Sequence, residues 1–313
     1  MEGAGIDLTQ VETWDEFADV LRPLMRDLDG DGQIDRFPLA GWPTQQMFVE
    51  GLLRQAGGRY FDDDGEPMLD DPLNARTLAK IVSWTVGPDR ICIEVPDQVA
   101  GGNQMRRNGT MLCQLMPDWM AGQWKRDIPE LAGKVKLMPL PAFEPGGNRT
   151  SVWGGTMLGI SQKTEDFEAA WSFARDLYLS PELAEETFRG TGIVTPVKTH
   201  WTLPFFAEPD PYFCGQAAGL AFIEQAPHVP IRSSSPFERL ALERTVVAIG
   251  QRRLMKRREE HLAWAPPVPL PPPRRASRRW LFTRCWLYAR SSGSFPSAIC
   301  SCPPFDMAAT TAR

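Results

Sequence analysis

Apolar positions early in the chain recur at helical spacing. Trp14, Phe17, Leu21 and Leu24 share one face over residues 10–25, and Thr13 followed by Glu16 forms a capping box. Thr44 to Gln55 predicts a second helix, ended by Gly57-Gly58. Asp71-Pro72 opens a long third helix with Leu73, Leu78, Ile81, Val82 and Trp84 inward. After a Gly/Asn-rich passage (Gly101, Gly102, Asn103) the period changes. Thr110–Leu115, Val135–Leu140 and Val152–Ile160 are short apolar runs, broken by Pro117, by Pro141 and by Gly154-Gly155. Such runs suit strands buried on both faces. An aromatic loop follows the first of them. Further on, Glu165–Tyr178 reads as an amphipathic helix with Phe167, Ala170, Trp171, Ala174 and Leu177 inward. Ser180-Pro181 starts the next helix, which Gly190 or Gly192 ends. Leu220–Glu224 and Glu238–Ile249 complete the helices. Strands alternating with helices predict an α/β body.

Trp119, Trp124 and Trp153 each sit beside a breaker or a charge. Two readings stay open: a flat apolar surface for a ligand, or caps on the ends of a sheet. The acidic stretch Asp27–Asp35 alternates Asp27, Asp29 and Asp31, turns at Gly32 and returns to Asp35. This matches the first nine positions of a calcium loop, but Pro38 stands where a bidentate Glu belongs. A solvated acidic turn and a calcium site on Asp27, Asp29, Asp31 and Asp35 are the two readings. No other cofactor is implied.

Length and charge sharpen the picture. At 313 residues the chain has room for two lobes. Its net charge of −5 divides into −14 over residues 1–250 and +9 over residues 251–313. An acidic body argues against a nucleic-acid partner. The first residues show neither the basic nor the apolar region of a signal peptide, and no apolar run reaches the ~18 residues that span a membrane. The six cysteines lack Cys-x-x-Cys spacing, and the three histidines, His200, His228 and His261, lie far apart. No nucleophile–base constellation and no phosphate-binding glycine loop emerges. Plentiful carboxylates leave open a two-carboxylate glycan hydrolase. Beyond Gly250 the chain becomes rich in Arg, Pro and Ser without an apolar period. It reads as a disordered basic tail that binds anionic surfaces or proline-reading domains, or as the translation of a shifted frame.

Four passages carry a family resemblance: GIDLTQVETWDEF (Gly5–Phe17), NGTMLCQLMPDWMAGQW (Asn108–Trp124), LAGKVKLMPLPAFEPGGNRTSVWGGTMLGIS (Leu131–Ser161) and DPYFCGQAAGLAFIEQAPHVPIRSSSP (Asp210–Pro236). Together they resemble the extracytoplasmic solute-binding proteins of ABC sugar importers, of the maltose type and most of all the arabinose-oligosaccharide binders. The resemblance implies a periplasmic-binding-protein-like α/β fold of two lobes around a hinge, with most of the N-terminal lobe missing. Residues 1–149 and 205–250 would form one lobe and residues 150–204 a remnant of the other, with the hinge near Arg149–Gly154. It implies a non-enzymatic, monomeric protein that takes a sugar or oligosaccharide to permease subunits outside the cytoplasm. Contact with the membrane would come only through the permease or a missing lipid anchor. Trp119 and Trp153 would face the cleft with Gly154 and Gly155, joined by Trp42 and Trp124, while Asp118, Gln46 and Arg149 would supply polar contacts. The absent signal peptide and N-terminal lobe imply a fragment, either binding with lowered affinity because half the cleft is missing or inactive as encoded. The rivals are the hydrolase and an interaction protein working through the basic tail.

Overall fold

A three-stranded parallel sheet organises the protein. The computed structural model describes residues 5–96, 100–231 and 235–264. Strand β1 (Phe37–Ala40) lies between β2 (Cys92–Ile93) and β3 (Met111–Gln114). Leu39 stands opposite both Cys92 and Cys113, and Ala40 opposite Ile93 and Gln114. Pro38 inside β1 has no N–H to give. The bonds around it come from Phe37 to the Thr110 carbonyl and from Leu39 to the Ile91 carbonyl, at 2.9 and 3.1 Å. All four β1 residues are buried, as expected when helices cover both faces of a parallel sheet.

The first face carries α1 (Trp14–Leu21), α2 (Gln46–Gln55), α3 (Pro72–Ser83) and α9 (Glu238–Trp264). The capping box is formed: the Thr13 hydroxyl accepts from the Glu16 N–H, and the Glu16 carboxylate accepts from the Glu12 and Thr13 N–H groups. Trp14, Phe17 and Leu21 are buried beside Phe48, Leu52, Ile81 and Val246. Pro72 occupies the first turn of α3, with the Asp71 carboxylate as its cap. Inside this core Arg54 of α2 pairs with Glu50 at 2.9 Å and with Glu238 at the start of α9. All three are buried, so two carboxylates share one guanidinium and α9 is tied to α2 by charge as well as packing.

The opposite face is closed by α5 (Asp118–Asp127) together with Tyr212 and Phe213, which pack on Ala40, Val95 and Met111. The Tyr212 hydroxyl donates to the Trp124 and Ile128 carbonyls at 3.3 and 3.0 Å, satisfying the C-terminal end of α5. Burial raises the pKa of this phenol, so it stays a donor. Helix α4 (Ala100–Arg107) links β2 to β3. Then α6 (Phe167–Leu179) packs on α7 (Pro181–Thr191), and α7 with α8 (Ala218–Gln225) encloses a smaller cluster of Ala184, Phe205 and Phe206. Ser180 caps α7, and Gly192 ends it in the left-handed region.

Several sequence expectations are corrected here. The Gly/Asn-rich passage is helix α4, and the aromatic loop is helix α5. Val135–Leu140 and Val152–Ile160 are irregular and join no ladder. In the first, Pro139 and Pro141 remove donors. The Gln216 side chain takes the place of a neighbouring strand, accepting from the Leu137 N–H at 2.7 Å and donating to its carbonyl at 2.9 Å. In the second, no partner strand exists among the described residues, and Met157 is 97% exposed. The expected inner stripe of α6 is likewise not buried: of its five residues only Ala174 is. No sheet among the described residues covers it. Helix α9 runs past Gly250 to Trp264. Residues 265–313, with the expected basic tail, lie outside the described residues.

Candidate functional site

Ligands of open parallel sheets bind beyond the carboxyl ends of the strands, where strand order reverses. With the order β2-β1-β3, that point is the carboxyl end of β1 and β3. A cleft of about 1260 Å³ opens along β3 and the chain beyond its carboxyl end. Its floor is β3 and the chain that follows it, from Met111 to Trp119. One wall is the chain from Leu131 to Leu140, and the other runs from Arg149 to Gly155. Val194–Pro196, Trp201, Gln216 and Phe222 complete it.

Four indoles line this cleft: Trp119, Trp124, Trp153 and Trp201. Trp119 lies in the first turn of α5 and Trp124 one turn and a half later, so the first two are held by a helix rather than a loop. Trp124 is largely buried, with the Arg106 guanidinium 5.4 Å from its ring centre. Arg106 also donates to Gln114 and Asn103, each at 3.0 Å, which fixes the polar end of β3. The Trp201 indole N–H donates to the Thr195 carbonyl at 2.9 Å. Gly154 adopts φ +85°, a left-handed backbone that a side chain would strain. It lets the chain turn immediately after Trp153.

The polar residues expected at the site divide into two kinds. Asp118 and Arg149 line the cleft but hold the scaffold. One Asp118 oxygen accepts from the Trp119 N–H at 2.7 Å and the other from the Val194 N–H at 2.9 Å. Arg149 donates to the Leu140 and Val11 carbonyls at 3.0 and 2.8 Å. These bonds pin the floor of the cleft to Val194, and its two walls to each other and to the body. Gly192 and Gly122 let α7 end directly against α5: a β-carbon on Gly192 would stand 2.8 Å from the Asp118 carbonyl oxygen, and one on Gly122 would strike the Thr191 carbonyl. Trp42 and Gln46 lie elsewhere. Trp42 packs half-buried against the α5 core, and Gln46 is exposed at the start of α2.

Sequence reasoning missed Trp201, Gln216, Gln114 and Arg106. Trp201 carried the same signal as the others, an aromatic ring between Thr195-Pro196 and Pro204. Gln114 and Arg106 carried none. Cys113 also lines the cleft, and burial pushes its thiol up to about 12. At neutral pH it offers apolar surface and not a thiolate.

Away from the cleft, Asp27, Asp29 and Asp35 bring carboxylate oxygens within 4.8 Å of one another, without Asp31. The Asp27 carboxylate accepts from the Gly30 and Gly32 N–H groups at 2.6 and 2.8 Å. Those bonds, Gly32 first, hold its pKa below the usual carboxylate value. The loop is a hydrogen-bonded acidic turn in which three of the four expected carboxylates converge.

The model of one protein family, bacterial extracellular solute-binding protein, matches residues 1–184. This chain belongs to that family. It is 27% identical over 222 residues to the arabinooligosaccharide-binding protein of Halalkalibacterium halodurans, a match covering 68% of this chain and 47% of that protein. The arabinooligosaccharide-binding protein of Bacillus subtilis is 27% identical over 181 residues, with 55% and 39% covered. Among solved structures, the maltose/maltodextrin-binding domain of Bdellovibrio bacteriovorus bound to maltotriose superposes with a TM-score of 0.61 at 17% identity, over 81% of this chain and 64% of that one. A transporter-associated binding protein of B. animalis subsp. lactis, in complex with beta-1,6-galactobiose, gives 0.60 at 18%, over 83% and 69%. The family member described here thus spans about half the length of the curated relatives it matches. At these identities the solved structures establish the fold, which is part of the two-lobed α/β architecture of maltose-type binding proteins.

Proposed function

We propose that this protein is a carbohydrate-binding component of an ABC importer, working outside the cytoplasm and taking an oligosaccharide in the cleft at the end of β3. The observation that carries this reading is the convergence of four indoles on one cleft. The C–H face of a pyranose or furanose ring stacks on an indole, while its hydroxyls need fixed donors and acceptors. Gln114 and Gln216 supply amides there, and Lys134 and Lys136 supply cations. A cleft of about 1260 Å³ exceeds the ~300–1,000 Å³ common for small-ligand sites and suits a chain of sugars over a monosaccharide. The names of the relatives, arabinooligosaccharide-binding proteins, point the same way. Residues 1–149 with 205–250, against 150–204, are the lobes we assign to the two sides of a hinge near Arg149–Gly154. Closure of one on the other over the sugar, and delivery to the permease, would be the working cycle.

The test is calorimetric titration with arabino-, malto- and galacto-oligosaccharides. Binding to at least one series is expected, and Trp119→Ala or Trp153→Ala should each weaken it by about 1–3 kcal/mol, the range for stacking on an aromatic ring. Absence of heat and of thermal stabilisation with all three series would overturn the reading. Full affinity in both variants would overturn the site while sparing the function.

A further inference from the structure

One short loop fastens α5 to the Leu131–Leu140 wall of the cleft. Residues 210–216 close on themselves: Asp210 and Gln216 form an antiparallel bridge, the Asp210 N–H donating to the Gln216 carbonyl at 2.9 Å. Cys214 and Gly215, in succession at φ 56° and 81°, turn the chain between them. On one side the loop grips α5, which carries Trp119 and Trp124. Asp210 pairs with Lys125, and the Tyr212 hydroxyl holds the Trp124 and Ile128 carbonyls. On the other side it grips the wall. The Gly133 N–H donates to the Tyr212 carbonyl at 3.0 Å, and the Cys214 thiol donates to the Val135 carbonyl at 3.3 Å. The Gln216 amide then takes both the N–H and the carbonyl of Leu137. Residues 212, 214 and 216 thus meet 133, 135 and 137 in the same order, as alternate residues of a neighbouring parallel strand would.

We propose that Gln216 is a positioning residue for oligosaccharide binding: acting through Leu137, it sets the span of the cleft between the α5 indoles and the opposite wall. The inference rests on the proposed function and adds to it the group that fixes the shape of the site. A primary amide presents one donor and one acceptor side by side, which matches the N–H and the carbonyl of a single residue. Leu137 also decides which way round the amide sits, because the flipped form would set N–H against N–H and oxygen against oxygen. Asn is one methylene shorter, and a Glu carboxylate only accepts. Without the amide, both backbone groups of a half-buried residue lose their partner. The loop keeps its hold on α5 through Lys125 and Tyr212, so the change falls on the wall and not on the helix.

Two measurements on the full chain test this: hydrogen exchange at the Leu137 amide without sugar, and titration with arabinotriose, maltotriose and β-1,6-galactobiose. The Leu137 amide should be protected although it belongs to no ladder. Gln216→Met should remove that protection and weaken whichever of the three sugars binds about tenfold, the worth of one hydrogen bond. Gln216→Glu should behave like Gln216→Met at neutral pH, where its carboxylate repels the Leu137 carbonyl. It should recover protection and affinity as pH falls toward about 4, where the protonated carboxyl donates to that carbonyl. The other ionisable groups about the cleft and the loop, Lys134, Lys136, Asp118, Glu224 and the Lys125–Asp210 pair, are common to parent and variants. The ratio of variant to parent therefore isolates residue 216. A Leu137 amide that exchanges freely in the parent, protection that survives Gln216→Met, or affinity that Gln216→Met leaves unchanged overturns the proposal. So does a Gln216→Glu ratio that stays flat with pH. If none of the three sugars binds, the proposed function fails, and the exchange measurements still decide for or against the hold of Gln216 on the wall.

Discussion

Helices α1 and α6 make an instructive pair. Each is capped by a side chain accepting from the third residue of the helix, Thr13 from Glu16 and Asp166 from Ala169. Each carries a Trp/Phe stripe. In α1 the stripe is enclosed: Trp14 is 1% exposed, its ring centroid 5.1 Å from Trp84 and 5.4 Å from Phe17, and its indole N–H donates to Gln55. In α6 the stripe faces solvent. Periodicity therefore decides that a helix forms and which side is apolar, while burial depends on what the rest of the chain brings to that side. Around α1 the chain brings a sheet and three more helices. Around α6 it brings α7 and little else.

The contrast is sharpest at buried charge: Glu50, Arg54 and Glu238 are buried in the core around α1, and among the described residues no charged group of α6 is. Arg54→Ala would remove the guanidinium that the buried Glu50 and Glu238 share. A loss of about 3–5 kcal/mol is expected, read as a lower urea midpoint. The exposed pair Arg239–Glu243, also on α9, should cost less than about 0.5 kcal/mol when broken. Equal losses at the two pairs would mean that the core around Arg54 is wet.

Next in size is the aromatic comparison itself. Trp14→Ala should cost about 3–5 kcal/mol as a large-to-small change in a close-packed core. Trp171→Ala, at a half-exposed position, should stay within about 0.5 kcal/mol of the parent. A large loss at Trp171 would show that the face of α6 is covered within a single chain.

How much of this was legible beforehand follows from the same contrast. The capping box, the Asp71-Pro72 and Ser180-Pro181 starts and the strand at Met111–Gln114 are local devices, and each stood in the text of the sequence. Strand β1 was not legible, because Pro38 argues against a central strand until Phe37 and Leu39 are seen to bond on either side of it. Helix α5 hid behind Pro117 and Gly122, which look like loop residues. Both have tertiary reasons: Pro117 directly precedes the helix, and Gly122 admits the end of α7. In the cleft, tryptophans beside breakers were a usable signal. The two carboxylate and guanidinium candidates, Asp118 and Arg149, were flagged by type alone, and type cannot distinguish a group that meets the ligand from one that bonds to backbone.

Gly122 offers the next test, where the enclosed body meets the segment carrying α6 and α7 through bare backbone. A methyl group there would strike the Thr191 carbonyl, which is backbone and cannot swing aside. Gly122→Ala should therefore cost about 1–3 kcal/mol by overpacking, although alanine favours helix over glycine by ~1 kcal/mol. It should also displace Gly192–Val194 and with them the Val194 N–H bond to Asp118. Stabilisation by Gly122→Ala would mean that α7 does not end against α5.

The smallest effect separates the two caps by pH. Glu16 accepts from the Glu12 and Thr13 N–H groups, and these bonds, Glu12 first, hold its pKa below the ordinary value. A carboxylate depressed in the folded state adds stability above its unfolded pKa of about 4.3, and that contribution is lost as pH falls through the lower folded value. Glu16→Gln removes this titration while leaving an amide oxygen that still accepts. The variant should be slightly less stable than the parent at neutral pH, and the two should converge as pH drops below about 4. Glu168, the first-turn acid of α6, shows no such bond to its own cap. If Glu16→Gln leaves the acid limb of unfolding unchanged, the reciprocal bond at Thr13 contributes nothing to the folded state, and the capping box of α1 is no advantage over the single cap of α6.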